Sequence, residues 1–224
     1  LLEVQIRRRE GKLRSALAGA LSASASARAE FPVIALRLLL EALRCRFQLN
    51  QTDEAARGLE MCDTLLARIR SPLLEVEVSL ARSELLLALG RPARVIALAQ
   101  ESRRKAETLH FPYAKALAML YESGAHQQLG DRRLAQHLAR EAHNLFLILG
   151  HPERRAETAI LMAELALGSG ESRGASLLAN EALVASKKLV LPLVYVRSQD
   201  LIIALAGATG NKTLRCPGTG RTGT

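Results

Sequence analysis

The chain has 224 residues, 49% of them hydrophobic and 24% charged, with 31 Lys and Arg against 22 Asp and Glu for a formal charge of +9. That apolar share supplies a continuous core and excludes wholesale disorder, while no stretch approaches the roughly 18 uninterrupted apolar residues of a membrane span. Aromatics at 3% and the absence of tryptophan, beside abundant Ala, Leu, Arg and Glu, exclude a strand-rich class and leave an all-α one.

Residues 1–31 read as the close of one helix, a turn at Glu10 and Gly11, and a weak second helix through Leu13, Leu17 and Leu21 that dissolves into Ser22, Ser24 and Ser26. This is the pattern of a repeat cut through its middle. Because residue 1 is Leu rather than Met, the chain reads as a piece of a longer product.

From residue 32 the punctuation is periodic. Proline stands at Pro32, Pro72, Pro112, Pro152 and Pro192, a constant forty positions from one to the next, and eighteen positions after each stands Asn50, Gly90, Gly130, Gly170 or Gly210. Proline is preorganised for the first helical position, and glycine or asparagine accepts the left-handed conformation that closes a helix. Each 40-residue unit therefore predicts a first helix, A, of about 17 residues, or roughly 25 Å, followed by a second helix, B. Full repeats fall at about 32–71, 72–111, 112–151 and 152–191, with a half repeat at 192–210.

Apolar positions recur in the same register: Leu40, Leu80, Leu120 and Ile160 in helix A; Leu98, Leu138 and Leu178 in helix B; Ile69, Leu109, Leu149 and Leu189 at its end. Small residues recur at Ala55, Ala135 and Ala175, and seven positions later at Cys62, Ala142 and Ala182, with Val95 and Ser102 in the second repeat. Seven residues is two helical turns, so both positions share a face and admit a neighbouring helix to about 8 to 10 Å. A pair of this kind buries its apolar face only by stacking on the next pair. Residues 211–224, rich in Gly, Thr and Arg without apolar period, predict a disordered tail.

Taken together, the small residue midway through helix A (Ser83, Ser123, Ala163) and the small pairs of helix B resemble the tetratricopeptide-like superfamily. That resemblance covers residues 1–210 and implies a right-handed α-α superhelix, a TPR-like solenoid of antiparallel helix pairs. The strings Leu89-Gly90-Arg91-Pro92-Ala93 and Leu129-Gly130-Asp131-Arg132, each followed by an alanine-rich helix, resemble the longer repeats of bacterial LuxR-type activators of the maltose-regulator kind and of kinases carrying an ATPase module. A similar array occurs in the fifth subunit of the anaphase-promoting complex. In the superfamily the A helices line a concave groove, so the resemblance implies a scaffold that binds a protein or peptide.

On the A helices a polar register recurs as Arg37 and Arg44, Glu77 and Glu84, and Glu157 and Glu164, each pair two turns apart. Two readings stand side by side. The groups hold a peptide by charge-assisted hydrogen bonds, or arginines of one repeat pair with glutamates of the next in a salt-bridge ladder. Tyr121 and Gln128 share a face of the third A helix with Gly124 between them. An exposed tyrosine beside a gap would anchor a peptide, whereas a packed one would only join helices.

No Walker loop, nucleophile elbow, HExxH or paired CxxC is present, so catalysis is not expected. Nor is a cofactor: Gly218 to Gly223 spells GxGxxG, but neither strand nor helix flanks it. His137 and His143 lie six residues apart, on different helix faces, so no metal site is expected. The sequons at Asn50 and Asn211 matter only in a secreted protein. The three cysteines, Cys45, Cys62 and Cys216, show no disulfide or metal spacing and fit a reducing, cytoplasmic setting, or the nucleus in a eukaryote. Cations interleave with glutamates outside two short knots, Arg7-Arg8-Arg9 and Arg103-Arg104-Lys105, so nucleic acid is not the expected partner. A ligand-sensing domain of a multidomain regulator is the alternative to the scaffold, and a ubiquitin-ligase subunit of the anaphase-promoting kind is another.

Overall fold

The computed structural model describes residues 1–209; Gly210, Cys216, the Asn211 sequon, the 218–223 motif and the expected disordered tail lie outside the described residues. All described elements are helices: α1 (Leu2–Arg9), α2 (Leu13–Ala27), α3 (Pro32–Gln48), α4 (Thr52–Ile69), α5 (Pro72–Ala88), α6 (Pro92–Thr108), α7 (Pro112–Leu129), α8 (Arg132–Ile148), α9 (Pro152–Gly168), α10 (Ser172–Leu189) and α11 (Pro192–Thr209). Connections run from two residues (70–71) to four (28–31), which forces consecutive helices antiparallel. Each proline of the 40-residue series opens an odd-numbered helix from α3 on. Pro92, outside the series, opens α6.

Helix ends follow the punctuation. Asn50, Gly90, Gly130 and Gly170 all have positive φ, from 57° to 82°. A second left-handed series lies at Arg70, His110, Gly150 and Val190, with φ of 50°, 50°, 67° and 55°. It too has a 40-residue spacing and closes each B helix two residues before the next proline. Only one of its four members is glycine, so the other three accept a conformation that disfavours a Cβ to make a tight turn into the following helix.

The described residues divide into two compact units, 1–150 and 151–209. In the first, α1 to α8 form successive pairs, and the odd-numbered helices also touch one another in sequence: α1 with α3, α3 with α5, and α5 with α7. The fully buried rail of the B helices consists of the small residues: Ala55, Cys62, Val95, Ala135 and Ala142 are 0% exposed and Ser102 is 2%. Leu40, Leu80 and Leu120 of the A helices are buried with them. In helix B, Leu138 is buried but Ile69, Leu98, Leu109 and Leu149 are only half-buried, which corrects their reading as full core positions. The B helix rests on its small side chains, so leucines beside that rail lie at the flank of the contact.

Helix α2 also departs from expectation, running unbroken through the serines to Ala27. Ala16, Ala20 and Ser24 form a stripe with 0% exposure, and the Ser24 hydroxyl donates to the Ala35 carbonyl at 3.1 Å. Serine thus serves as a small residue in close packing against α3, with its polar atom satisfied. The same device recurs at Ser123, whose hydroxyl donates to the Ala135 carbonyl at 2.7 Å.

In the second unit α10 packs on α9, and α11 on both. Ala156, Ala159, Ile160, Ala163, Ala179, Ala182, Leu201 and Ile202 share one core cluster, with Leu178 and Leu189 half-buried against it.

Candidate functional site: the face of the A helices

Leu1 and Gln5 of the α1 segment, Arg37, Leu40, Glu41 and Arg44 of α3, Glu77 of α5, and Phe111 and Tyr113 at the start of α7 enclose a hollow of about 220 Å³. All four A helices of the first unit contribute to it, because residues two turns apart on each helix fall on the same face.

Glu41 is the hub of this hollow. Its side chain is 3% exposed, and it receives hydrogen bonds from Gln5 Nε2 (3.1 Å), Arg8 Nε (3.1 Å) and Arg44 (2.5 Å). Burial alone would raise the pKa of this carboxyl, but the charges of Arg44 and Arg8 and the bonds from Gln5 and Arg8 outweigh it and hold the pKa below its ordinary value. Glu77 is the opposite case. Burial raises its pKa, with nearby Glu41 acting in the same direction, against the attraction of Arg37 and Arg44. Arg37 is exposed and forms no ion pair among the described residues, which leaves its guanidinium donors open to solvent or ligand. Tyr113 is fixed from behind by an edge-on contact with the fully buried Phe146 of α8, 6.0 Å between ring centroids, and flanked by Phe111 at 6.3 Å.

Of the eight residues expected at a binding face, Arg37, Arg44 and Glu77 meet in this hollow. Glu84, Tyr121 and Gln128 do something else. Tyr121 is only 5% exposed, which corrects its reading as an exposed anchor: its hydroxyl donates to Glu84 Oε2 at 2.7 Å and so ties α7 to α5. Gly124 leaves no gap either, since a Cβ there would stand 2.9 Å from Leu87 Cδ2; the glycine admits the leucine. Gln128 donates to the Leu87 carbonyl at 3.0 Å, again across the repeat. Glu157 and Glu164 belong to the second unit, where Arg154 (2.6 Å) and Arg197 (2.5 Å) pair with them. Glu164 with Arg197 is an arginine–glutamate pair across repeats, whereas Glu84 and Gln128 are joined across the repeat by hydrogen bonds with the Tyr121 hydroxyl and the Leu87 carbonyl.

Sequence reasoning missed Glu41 and Glu122. Each is a single carboxylate within an apolar run, Leu38-Leu39-Leu40-Glu41-Ala42-Leu43 and Ala118-Met119-Leu120-Tyr121-Glu122, and that isolation was the available signal. Glu122, 2% exposed, accepts from Gln100 Nε2 at 2.8 Å and lies 3.4 Å from Arg103. The two basic knots are partly engaged: Arg7 pairs with Glu3, Arg8 with Glu41, Arg103 with Glu122 and Lys105 with Glu101. Among the described residues no cluster of three or more His, Cys, Asp or Glu side chains could hold a metal ion, and no helix is long and apolar enough to cross a membrane.

The fold is an all-α helical repeat of antiparallel helix pairs. It is similar to the crystal structure of Rap protein complexed with Competence and Sporulation Factor, with a TM-score of 0.74 at 10% identity over 95% of this chain and 63% of that one. It is also similar to BtubC from P. vanneervenii, with a TM-score of 0.63 at 13% identity over 90% of this chain and 84% of that one. The chain thus spans less than two thirds of the length of the Rap protein. No protein-family model and no curated protein sequence matches it.

Proposed function

We propose that this chain is a protein-interaction scaffold whose A-helix face receives an extended peptide or a helix of a partner. The observation that carries this reading is the hollow to which four successive A helices contribute, lined by the open guanidinium of Arg37 and the Phe111 and Tyr113 rings. At about 220 Å³ it is smaller than the roughly 300–1,000 Å³ of small-molecule sites, a size that suits one side chain of a longer ligand. Arg44 and Gln5 are held by Glu41 and Tyr113 by Phe146, so the walls are preorganised and little ordering is needed on binding. The reading includes Glu84, Tyr121, Gln128 and Glu164 only as struts between helices, and Glu157 only as the partner of Arg154 within α9. A scaffold without catalysis, working in the cytoplasm, is part of the same proposal.

A finer reading makes the array the recognising part of a larger signalling protein. What supports it is the likeness to Rap protein, which was crystallised in complex with Competence and Sporulation Factor and is longer than this chain.

Selection of a displayed random-peptide library on the full chain tests the proposal. Peptides that enrich should lose binding on Arg37→Glu and on Tyr113→Ala, yet keep it on Arg140→Ala. Enriched peptides indifferent to both groove substitutions would remove the A-helix face as the binding site.

A further inference from the structure

Elsewhere in the first unit, a cleft of about 520 Å³ is lined by α4, α5 and α6. It is separate from the A-helix hollow and shares no lining residue with it. Leu59 and Leu85, 4% and 6% exposed, form its base, and Ala56, Leu86 and Leu98 its apolar sides.

The charges of the cleft are sorted along its length. Helices α4 and α6 occupy the same place in successive antiparallel pairs and run parallel, and α5 runs against both. Arg94, the third residue of α6, therefore stands at one end beside Ala56 and Leu86, where the helix N-terminus adds positive potential. Glu60, Asp63 and Glu101 stand at the other end with Arg82. Arg82 is committed to Asp63, to both of whose oxygens it donates at 2.6 Å, and Glu101 is 3.0 Å from Lys105. Two charged side chains of the lining then form no ion pair among the described residues: Arg94 at the cationic end and Glu60 at the anionic end. In the 40-residue register Arg94 on α6 stands level with residue 54 on the parallel α4, so Glu60 lies six residues further along the axis, about 9 Å. Three extended residues span about 10 Å.

We infer that this cleft is a second binding site, for an apolar peptide of two or three residues with free termini, its carboxylate on Arg94 and its ammonium group at Glu60. Its volume lies within the range of sites that enclose small ligands, and its apolar base with a few fixed polar groups is their usual chemistry. A charged hydrogen bond at each end orients the ligand, and the leucines beneath take its side chains. A longer segment would carry neither terminal charge at the right place, so length is read together with polarity.

The test is an amide-resolved NMR titration of the full chain with the tripeptide Ala-Leu-Leu, free at both ends, and with its N-acetyl, C-amide form. Saturable shifts are expected at 56–63, 82–86 and 94–101, with a dissociation constant on the order of 1 mM and at least tenfold weaker binding of the capped form. Arg94→Gln and Glu60→Gln should each weaken the free tripeptide about tenfold with an unchanged melting temperature, since both side chains are exposed. Equal binding of the capped form, shifts confined to the A-helix face around 37, 44 and 77, or no saturable shift at all would overturn the inference.

Discussion

Replacing Glu41 by alanine removes the acceptor that joins α1 to α3. Glu41 collects three donors: Gln5 and Arg8 from α1, and Arg44 from its own helix. Arg44 is 30% exposed and regains water when released, but the Arg8 side chain is 10% exposed and does not. Breaking one side of a buried ion pair costs about 3–5 kcal/mol, chiefly through the charge left behind. Because Arg44 returns to water and only Arg8 stays buried, the lower end, about 3 kcal/mol, is the expectation. Urea unfolding followed by circular dichroism gives the global loss, and hydrogen exchange should show segment 2–27 opening first. Glu41→Leu combined with Arg8→Met should recover most of the loss, because an apolar pair leaves no buried charge. The pH dependence has a defined sign. The folded pKa of Glu41 is depressed, so its stabilisation is present above the ordinary carboxyl pKa and is lost as pH falls through the folded value. The gap between wild type and Glu41→Ala therefore narrows in acid. A loss under about 1 kcal/mol at pH 7, or a gap that widens in acid, would refute the reasoning.

Three further outcomes are expected. Leu138→Asp, at a 3% exposed position, should cost more than about 3 kcal/mol as an unpaired buried charge, and Arg140→Ala, on the surface, less than about 0.5 kcal/mol; equal melting curves would contradict the packing. The pKa of Glu77 is raised in the folded chain, so its ionisation opposes folding above that value and is neutral where both states are protonated. Glu77→Gln should accordingly raise the urea midpoint at pH 7 and leave it unchanged at about pH 3, and a lowered midpoint at pH 7 would count against the assignment. Cys45 and Cys62 are buried with thiols pushed up to about 11 and about 12 by burial. They should stay unalkylated by iodoacetamide at pH 8 until the chain unfolds, as peptide mass mapping would show.

The repeat was legible because its marks are backbone constraints. A proline at the first helical position and a glycine or asparagine at the far end of the same helix act locally, so Pro32, Asn50, Pro72 and Gly90 place the ends of α3 and α5 without any tertiary contact. The closing turns of the B helices were not legible at Arg70, His110 and Val190, since their left-handed backbone is imposed by the helix that follows and leaves no glycine behind. The small-residue rail was readable from its seven-residue spacing. The half-burial of Leu98, Leu149 and Leu178 was not, because periodicity identifies a face but not how far its edge is covered. At the candidate site, Arg37, Arg44 and Glu77 carried a visible register. Tyr121 looked the same in that register, and only the approach of α5, with Glu84 to accept its hydroxyl and Leu87 filling the space at Gly124, makes it a strut. Phe111, Tyr113 and Glu41 complete the hollow by meeting from different repeats, far apart along the chain, which no local pattern encodes.

The central claim is that the face shared by α1, α3, α5 and α7 receives the partner. An amide-resolved NMR titration with a library-selected peptide tests it most directly: shifts should gather at residues 5, 37, 44, 77 and 113 and vanish with Arg37→Glu. Shifts gathered instead on α4, α6 and α8, with that face silent, would contradict the account.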